Sequence, residues 1–169
     1  EQAMVLQGGS QAGNASLLQA QNGAWQIQGD PTDAAFLVAE RKLVPGTTAS
    51  DQPAQRVTEI PFTSERKMMS VIVREAPPGT GLRLLSKGAP DVLLAHCTHQ
   101  RVGTGLQALN AAARMKILAD VDGLSDAALR PLGVAYRPLA PQEDAQSGDA
   151  LEVGLVYVGT VGMIDPPRE

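Results

Sequence analysis

Met69-Ser70-Val71-Ile72-Val73-Arg74 and Leu82-Arg83-Leu84-Leu85-Ser86 are strand-like runs separated by Ala76-Pro77-Pro78-Gly79-Thr80-Gly81. Proline and glycine in that connection suit a chain reversal, so the two runs are expected to pair as an antiparallel hairpin. Val57-Thr58-Glu59-Ile60 before it, and Gly133-Val134-Ala135-Tyr136 and residues Val153 to Val158 after it, read as further strands. Trp25-Gln26-Ile27-Gln28 alternates as a half-buried strand does. At Asp30-Pro31-Thr32-Asp33 a helix begins: Asp30 can cap, Pro31 suits the first helical position, and Asp33 can reach back toward the free amides. Ala34, Leu37 and Val38 form its inward stripe, and it should end near Leu43, before Pro45-Gly46. Thr47 to Gln55 reads as a polar loop and Pro90 to Leu94 as a short helix. Leu106, Leu109, Ala113 and Ile117 mark an amphipathic helix by their three- and four-residue spacings, with a continuation or restart beyond Gly123 toward Leu129. Strands with interspersed helices and hairpin connections predict an α+β fold with a mainly antiparallel β-sheet flanked by helices.

The 169 residues suit one domain at roughly 150 residues per domain. Aromatics make up only 3%, so the core must be built from Leu, Val, Ala and Met. The net charge of -4 offers no global attraction to nucleic acid or an anionic membrane, so an anionic ligand needs a local basic cluster. A single cysteine, Cys97, excludes an intrachain disulfide and fits a reducing compartment. No apolar run approaches the roughly 18–20 residues that span a bilayer, and the first residues lack the pattern of a signal peptide. These features predict a soluble intracellular domain, with residues 1–22, rich in Gln, Gly and Ala, mostly flexible as a linker in which Leu17-Leu18 begins a short ordered element.

The Walker pattern of Gly, four residues, Gly, Lys and Ser or Thr is absent, and Gly103-Thr104-Gly105 is only a fragment of a dinucleotide fingerprint. His96-Cys97-Thr98-His99 lacks a second ligand pair at zinc-site spacing, and no Gly-x-Ser-x-Gly elbow is present. No metal ligand and no catalytic residue are therefore assigned. Taken singly, Phe62 reads as core, Arg66 and Lys67 as a solvated rim, Asp33 as a helix-start carboxylate, Arg130 as a surface residue, and Lys87-Gly88 as a strand-to-turn corner.

Together, four blocks point elsewhere. Gly29-Asp30-Pro31-Thr32-Asp33-Ala34-Ala35, Phe62-Thr63-Ser64-Glu65-Arg66-Lys67-Met68-Met69-Ser70, Lys87-Gly88-Ala89-Pro90 and Val161-Gly162-Met163-Ile164-Asp165-Pro166-Pro167-Arg168 follow one another in that order. In this order they resemble the nucleotide-binding domain of a P-type cation-transporting ATPase, of the calcium-pump and sodium/potassium-pump branch. No His-Pro dipeptide, the signature of the heavy-metal branch in this domain, occurs. The resemblance implies an ATP-binding domain that carries the γ-phosphate to an Asp in a separate phosphorylation domain, with magnesium entering as MgATP. It implies Phe62 as the aromatic stacked on adenine, Lys67 near the phosphates or ribose, Lys87 at the pocket floor, Arg130 on the phosphate side and Leu132 lining the adenine cleft. Gly88 would let the backbone pass close to the ligand. Asp33 matches an acid that is usually Glu, one methylene longer, so a bridging water to the adenine amine is plausible.

The phosphorylation motif Asp-Lys-Thr-Gly-Thr and the Gly-Asp-Gly-x-Asn-Asp segment are absent. By this resemblance, residues 1–22 are a linker, 23–160 the nucleotide-binding domain and 161–169 the hinge toward the phosphorylation domain. The chain is expected to bind ATP without turnover, as a monomer in the cytoplasmic part of an integral membrane protein. Its partners are then the phosphorylation and actuator domains, with no nucleic acid and no membrane insertion of its own. Two other classes compete: a non-catalytic interaction module of the same fold that has lost nucleotide binding, and an independent phosphatase or kinase.

Overall fold

The computed structural model describes residues 2–19, 23, 25–43, 54–75 and 81–164. Thr47 to Pro53, most of the expected polar loop, and Ala76 to Thr80, most of the expected reversal, lie outside the described residues, as does Asp165 to Glu169 of the hinge. The elements run α1 (Gln2–Gln11), β1 (Ser16–Gln19), β2 (Trp25–Gln28), α2 (Pro31–Leu43), β3 (Gln55–Ile60), β4 (Met68–Arg74) and β5 (Leu82–Gly88). Then follow α3 (Pro90–Ala95), β6 (Cys97–Val102), β7 (Gly105–Ala108), α4 (Ala111–Asp126), β8 (Arg130–Pro138), a 3-10 turn at Gly148–Leu151, and β9 (Leu155–Met163).

Among the described residues, seven strands form one sheet in the order β3-β4-β5-β8-β9-β6-β7. The expected hairpin is its centre, with β4 and β5 antiparallel from Met68 opposite Gly88 to Arg74 opposite Leu82. β6 alone runs parallel to its neighbour β9, so the sheet is mainly antiparallel as expected. Met68 to Val73 are all buried: Met68 and Ile72 belong to one core, and Met69, Val71 and Val73 pack with Ala12 and Leu85 on the other face. On one face Met68, Ile72, Leu84, Ala135, Leu155 and Tyr157 pack with Leu93 and Leu94 of α3. On the other, Val134 and Val158 pack with Val5 and Leu6 of α1 and Phe36 of α2. Alternation along each strand, with a period of two, sends successive side chains to the two cores.

Four expectations need correction. Residues 2–11 are helical and not a flexible linker, because the glycines that lower helix propensity permit close packing. A Cβ at Gly9 would lie 2.3 Å from the Phe36 ring, and one at Gly8 would lie 2.9 Å from Val134 Cγ1. Trp25 and Ile27 do not half-bury; among the described residues β2 pairs only with β1, and Trp25 is covered on one face by the Arg41 guanidinium at 4.7 Å. Leu106 is in β7, because Gly103, with φ of 60°, turns β6 back on itself and Asn110 starts α4 by accepting the Ala113 amide at 2.9 Å. Leu109 is buried from the connection ahead of that cap. Finally, β9 continues through Met163, where Val161 and Gly162 face Leu132 and Pro131, so the sheet reaches past the expected hinge start at 161.

α2 begins where expected and is described through Leu43, but its buried residues are Asp33, Ala34 and Phe36, with Leu37 and Val38 only partly covered. Phe36 is fully buried between α1 and the sheet. Phe36→Ala should therefore cost about 3–5 kcal/mol in urea unfolding, well above Leu37→Ala. Equal losses would contradict the assigned core.

Candidate nucleotide-binding site

At one end of the central sheet, β3 and β5 finish where β4 and β8 begin: Ile60 lies opposite Ser70, Met68 opposite Gly88, and Gly88 opposite Gly133. A cavity of about 640 Å³ opens there. Asp33, Phe62, Lys67, Lys87, Gly88, Arg130 and Leu132 all line it, so the fold gathers every residue that the family resemblance implied for the site. They come from the first turn of α2, the β3–β4 connection, the end of β5 and the start of β8.

The two phenylalanines divide clearly. Phe36 is a core residue, whereas Phe62 is 57% exposed at the cavity, so the reading of Phe62 as core fails. An exposed ring beside a concave surface offers a stacking face. The Phe62 connection is folded tightly: Lys67 N–H donates to the Thr63 carbonyl at 2.8 Å, and Arg66 N–H to Thr63 Oγ1 at 3.1 Å. Lys67 has φ of 53°, a left-handed backbone that costs a non-glycine residue about 1–3 kcal/mol. Its carbonyl accepts the Ala89 amide at 2.9 Å, fastening this connection to the turn after β5.

That close approach explains Gly88 differently from the expectation. A Cβ there would sit 2.5 Å from the Lys67 carbonyl oxygen and 2.5 Å from Met68 Cβ. Gly88 is required by the neighbouring strand, whether or not a ligand is near.

Lys87 and Asp33 form a buried ion pair between β5 and α2, with side chains 5% and 8% exposed. The other Asp33 oxygen accepts the Asn14 amide at 2.7 Å. Asp33 therefore does not reach back to the helix amides. Asp30 does that work, accepting Thr32 N–H at 2.8 Å, while Asp33 turns inward to Lys87 on the facing strand. Burial pushes the Lys87 ammonium below the usual lysine range, with Asp33 and Asp30 opposing the shift. Burial acts to raise the Asp30 carboxyl, but hydrogen bonds from Thr32 and the Asp33 amide, with Lys87 nearby, hold it below its ordinary value. Among the described residues each Asp33 oxygen has one donor, and each keeps further lone-pair capacity.

Composition concealed several neighbours. Asn14, in the segment read as flexible, lines the cavity and donates through Nδ2 to Glu59 Oε1 at 2.8 Å. Arg56 of β3 holds this corner, pairing with Glu59 at 3.0 Å and donating to the Gly13 carbonyl at 2.5 Å. Nothing local marks Asn14 or Glu59; they meet because the chain leaving α1 is held to β3 by Arg56, which donates to the Gln11 and Gly13 carbonyls. The His96-Cys97-Thr98-His99 run lies away from the cavity. Cys97 is buried, donates to the Leu93 carbonyl at 3.2 Å, and has its thiol pushed up to about 12 by burial, with Arg114 opposing. Gly103-Thr104 is simply the β6–β7 turn.

Residues 4–169 match the family described as the P-type ATPase, cytoplasmic domain N. The chain belongs to that family. Domain N here is 36% identical over 140 residues to calcium-transporting ATPase 1 of Bacillus cereus, covering 83% of this chain and 15% of that protein. Against the calcium-transporting ATPase of Bacillus subtilis it is 33% identical over 155 residues, 92% of this chain and 17% of the relative. The plasma membrane-type calcium-transporting ATPase 4 of Arabidopsis thaliana is 31% identical over 169 residues, 99% of this chain and 16% of its own length. The chain thus spans about a sixth of these relatives. Among the described residues of domain N, no helix is long and apolar enough to cross a membrane.

Lys87→Met leaves Asp33 buried with, among the described residues, only the Asn14 amide as a donor. It should cost about 3–5 kcal/mol of unfolding free energy, because an uncompensated buried charge is left behind. Adding Asp33→Asn should recover much of this in the same urea titration. A double variant no more stable than Lys87→Met would contradict the pairing.

Proposed function

We propose that this cavity binds ATP, and that the chain is the nucleotide-binding domain of a membrane cation-transporting P-type ATPase. The observation that carries the reading is the exposed ring of Phe62 beside a cavity that also presents Lys67 and Arg130, both on its exposed side. Adenine stacks on Phe62 with Leu132 along the cleft, an arrangement worth about 1–3 kcal/mol per base. Lys67 and Arg130 meet the phosphates through charge-assisted hydrogen bonds. Lys87 acts from the floor, chiefly by holding Asp33. The free acceptor capacity of Asp33 is turned to the exocyclic amine of adenine, directly or through a water.

The magnesium of MgATP belongs with the phosphates, since Mg²⁺ in such sites is held by substrate oxygens and one or two carboxylates. Among the described residues no group of three or more His, Cys, Asp or Glu is placed to hold a metal. In the parent protein the domain carries the γ-phosphate to the Asp of a separate phosphorylation domain by hinge closure, excluding water as the two meet. On this reading, the phosphorylation and actuator domains are its partners, and the chain acts on the cytoplasmic side of the membrane. Alone it binds without turnover.

The affinity should be modest, near a Kd on the order of 1 mM or about -4.1 kcal/mol, as expected from one stacked base and screened charge contacts. Phe62→Ala should weaken ATP by about 1–3 kcal/mol in calorimetric titration, with unchanged unfolding. GTP, which presents a carbonyl where adenine has its amine, should bind about tenfold less tightly, since an unpaired acceptor costs about 1–3 kcal/mol. An unaltered ATP isotherm for Phe62→Ala would favour an interaction module, and equal ATP and GTP affinities would remove Asp33 from base recognition.

A further inference from the structure

We propose that Arg66 is the positioning residue of the base-stacking connection, locking Phe62 and Lys67 in place through Glu152, a buried carboxylate across the sheet. The inference rests on Phe62 being the stacking aromatic. Arg66 and Lys67 are adjacent, yet they serve opposite sides. Lys67 lines the cavity, while Arg66 Nη2 reaches Glu152 at 2.6 and 2.5 Å to its two oxygens. The other terminal nitrogen, Nη1, donates to the Pro61 carbonyl at 2.8 Å, immediately before Phe62. One guanidinium therefore ties the root of the Phe62 connection to a fixed point outside the cavity.

That point is rigid. Glu152 is 2% exposed and follows the 3-10 turn that leads into β9. Its carboxylate also accepts from Ser70 Oγ, which lies 2.7 Å from Ser86 Oγ, so it is bound to β4 and, through Ser70, to β5. Its carbonyl faces His96 Nδ1 at 2.5 Å, at the end of α3. Ser70 and Ser86 alternate with Met69 and Lys87 along their strands, which places this network on the face opposite the Lys87–Asp33 pair. A Lys in place of Arg66 keeps the charge, but a single ammonium lacks the planar fork that spans the carboxylate and the Pro61 carbonyl together.

The test uses the whole chain with 4-fluorophenylalanine, which gives two ¹⁹F resonances because Phe36 and Phe62 are the only phenylalanines. Arg66→Lys is compared with the double variant Arg66→Met with Glu152→Gln, which leaves no unpaired buried charge. In both, the Phe62 resonance should move or broaden while Phe36 stays, and the ATP Kd should rise at least about fivefold, part of the stacking contribution. Thermal unfolding of the double variant should remain close to that of the unmodified chain. An unmoved Phe62 resonance, or parent-like ATP affinity in either variant, overturns the proposal. So does recovery of affinity together with stability in the double variant, which would make Arg66 only a neutraliser of Glu152. If the unmodified chain fails to bind ATP, the nucleotide reading falls, and the Phe62 resonance alone decides the positioning role.

Discussion

The buried pair of Lys87 and Asp33 ties the central sheet to its helical cover, and the site depends on it. A lysine ammonium at the end of a fully covered strand must find an anion, because an isolated charge in such a place is prohibitively costly. Asp33 is held against it, which fixes the first turn of α2 over β5. Phe36, one turn further along α2, is thereby carried into the core, where Lys87 Nζ lies 5.8 Å from its ring centre. The Asn14 amide also donates to Asp33, so the chain just after α1 is drawn to the same point. The floor of the cavity is the meeting place of three segments that share no local sequence.

Around that floor, strand ends supply what the cavity presents. Antiparallel pairing brings the end of β5 and the starts of β4 and β8 to one edge, so Lys67, Gly88 and Arg130 converge without any helix–phosphate loop. Strand termini place side chains more firmly than free loops do, which suits the proposed stacking site. The connection bearing Phe62 is the exception, being an excursion beyond β3. It is pinned on both sides, by the Ala89 amide on the Lys67 carbonyl and by Arg66 on Glu152. The left-handed backbone at Lys67 is where the chain turns between these two attachments.

The hairpin, the start of α2 and the group of cavity residues could be read in the sequence because their signals are local or shared with a family motif. Asp30-Pro31 announces a cap wherever it stands, and the strands about Ala76 to Gly81 carry their own alternation and breakers. What could not be read depends on contacts distant in the chain. Gly8 and Gly9 look like flexibility until Phe36 and Val134 are known to press against them. Leu106 keeps helical spacing with Leu109 although Asn110 separates strand from helix. Glu152 stands 86 residues from Arg66, with nothing in either neighbourhood to join them. Asp33 was identified, but its engagement with Lys87 was not, since a helix-start carboxylate and a buried counter-ion look alike in one dimension.

The central claim is that the strand-end cavity is where a nucleotide sits. A backbone amide NMR titration of the chain with ATP tests it most directly. The account predicts shifts concentrated at Phe62, Lys67, Gly88, Ala89, Arg130 and Leu132, saturating on one isotherm. No shifts at saturating ATP, or shifts centred instead on the exposed side of α2 near Ile27, Val38 and Leu43, would contradict it.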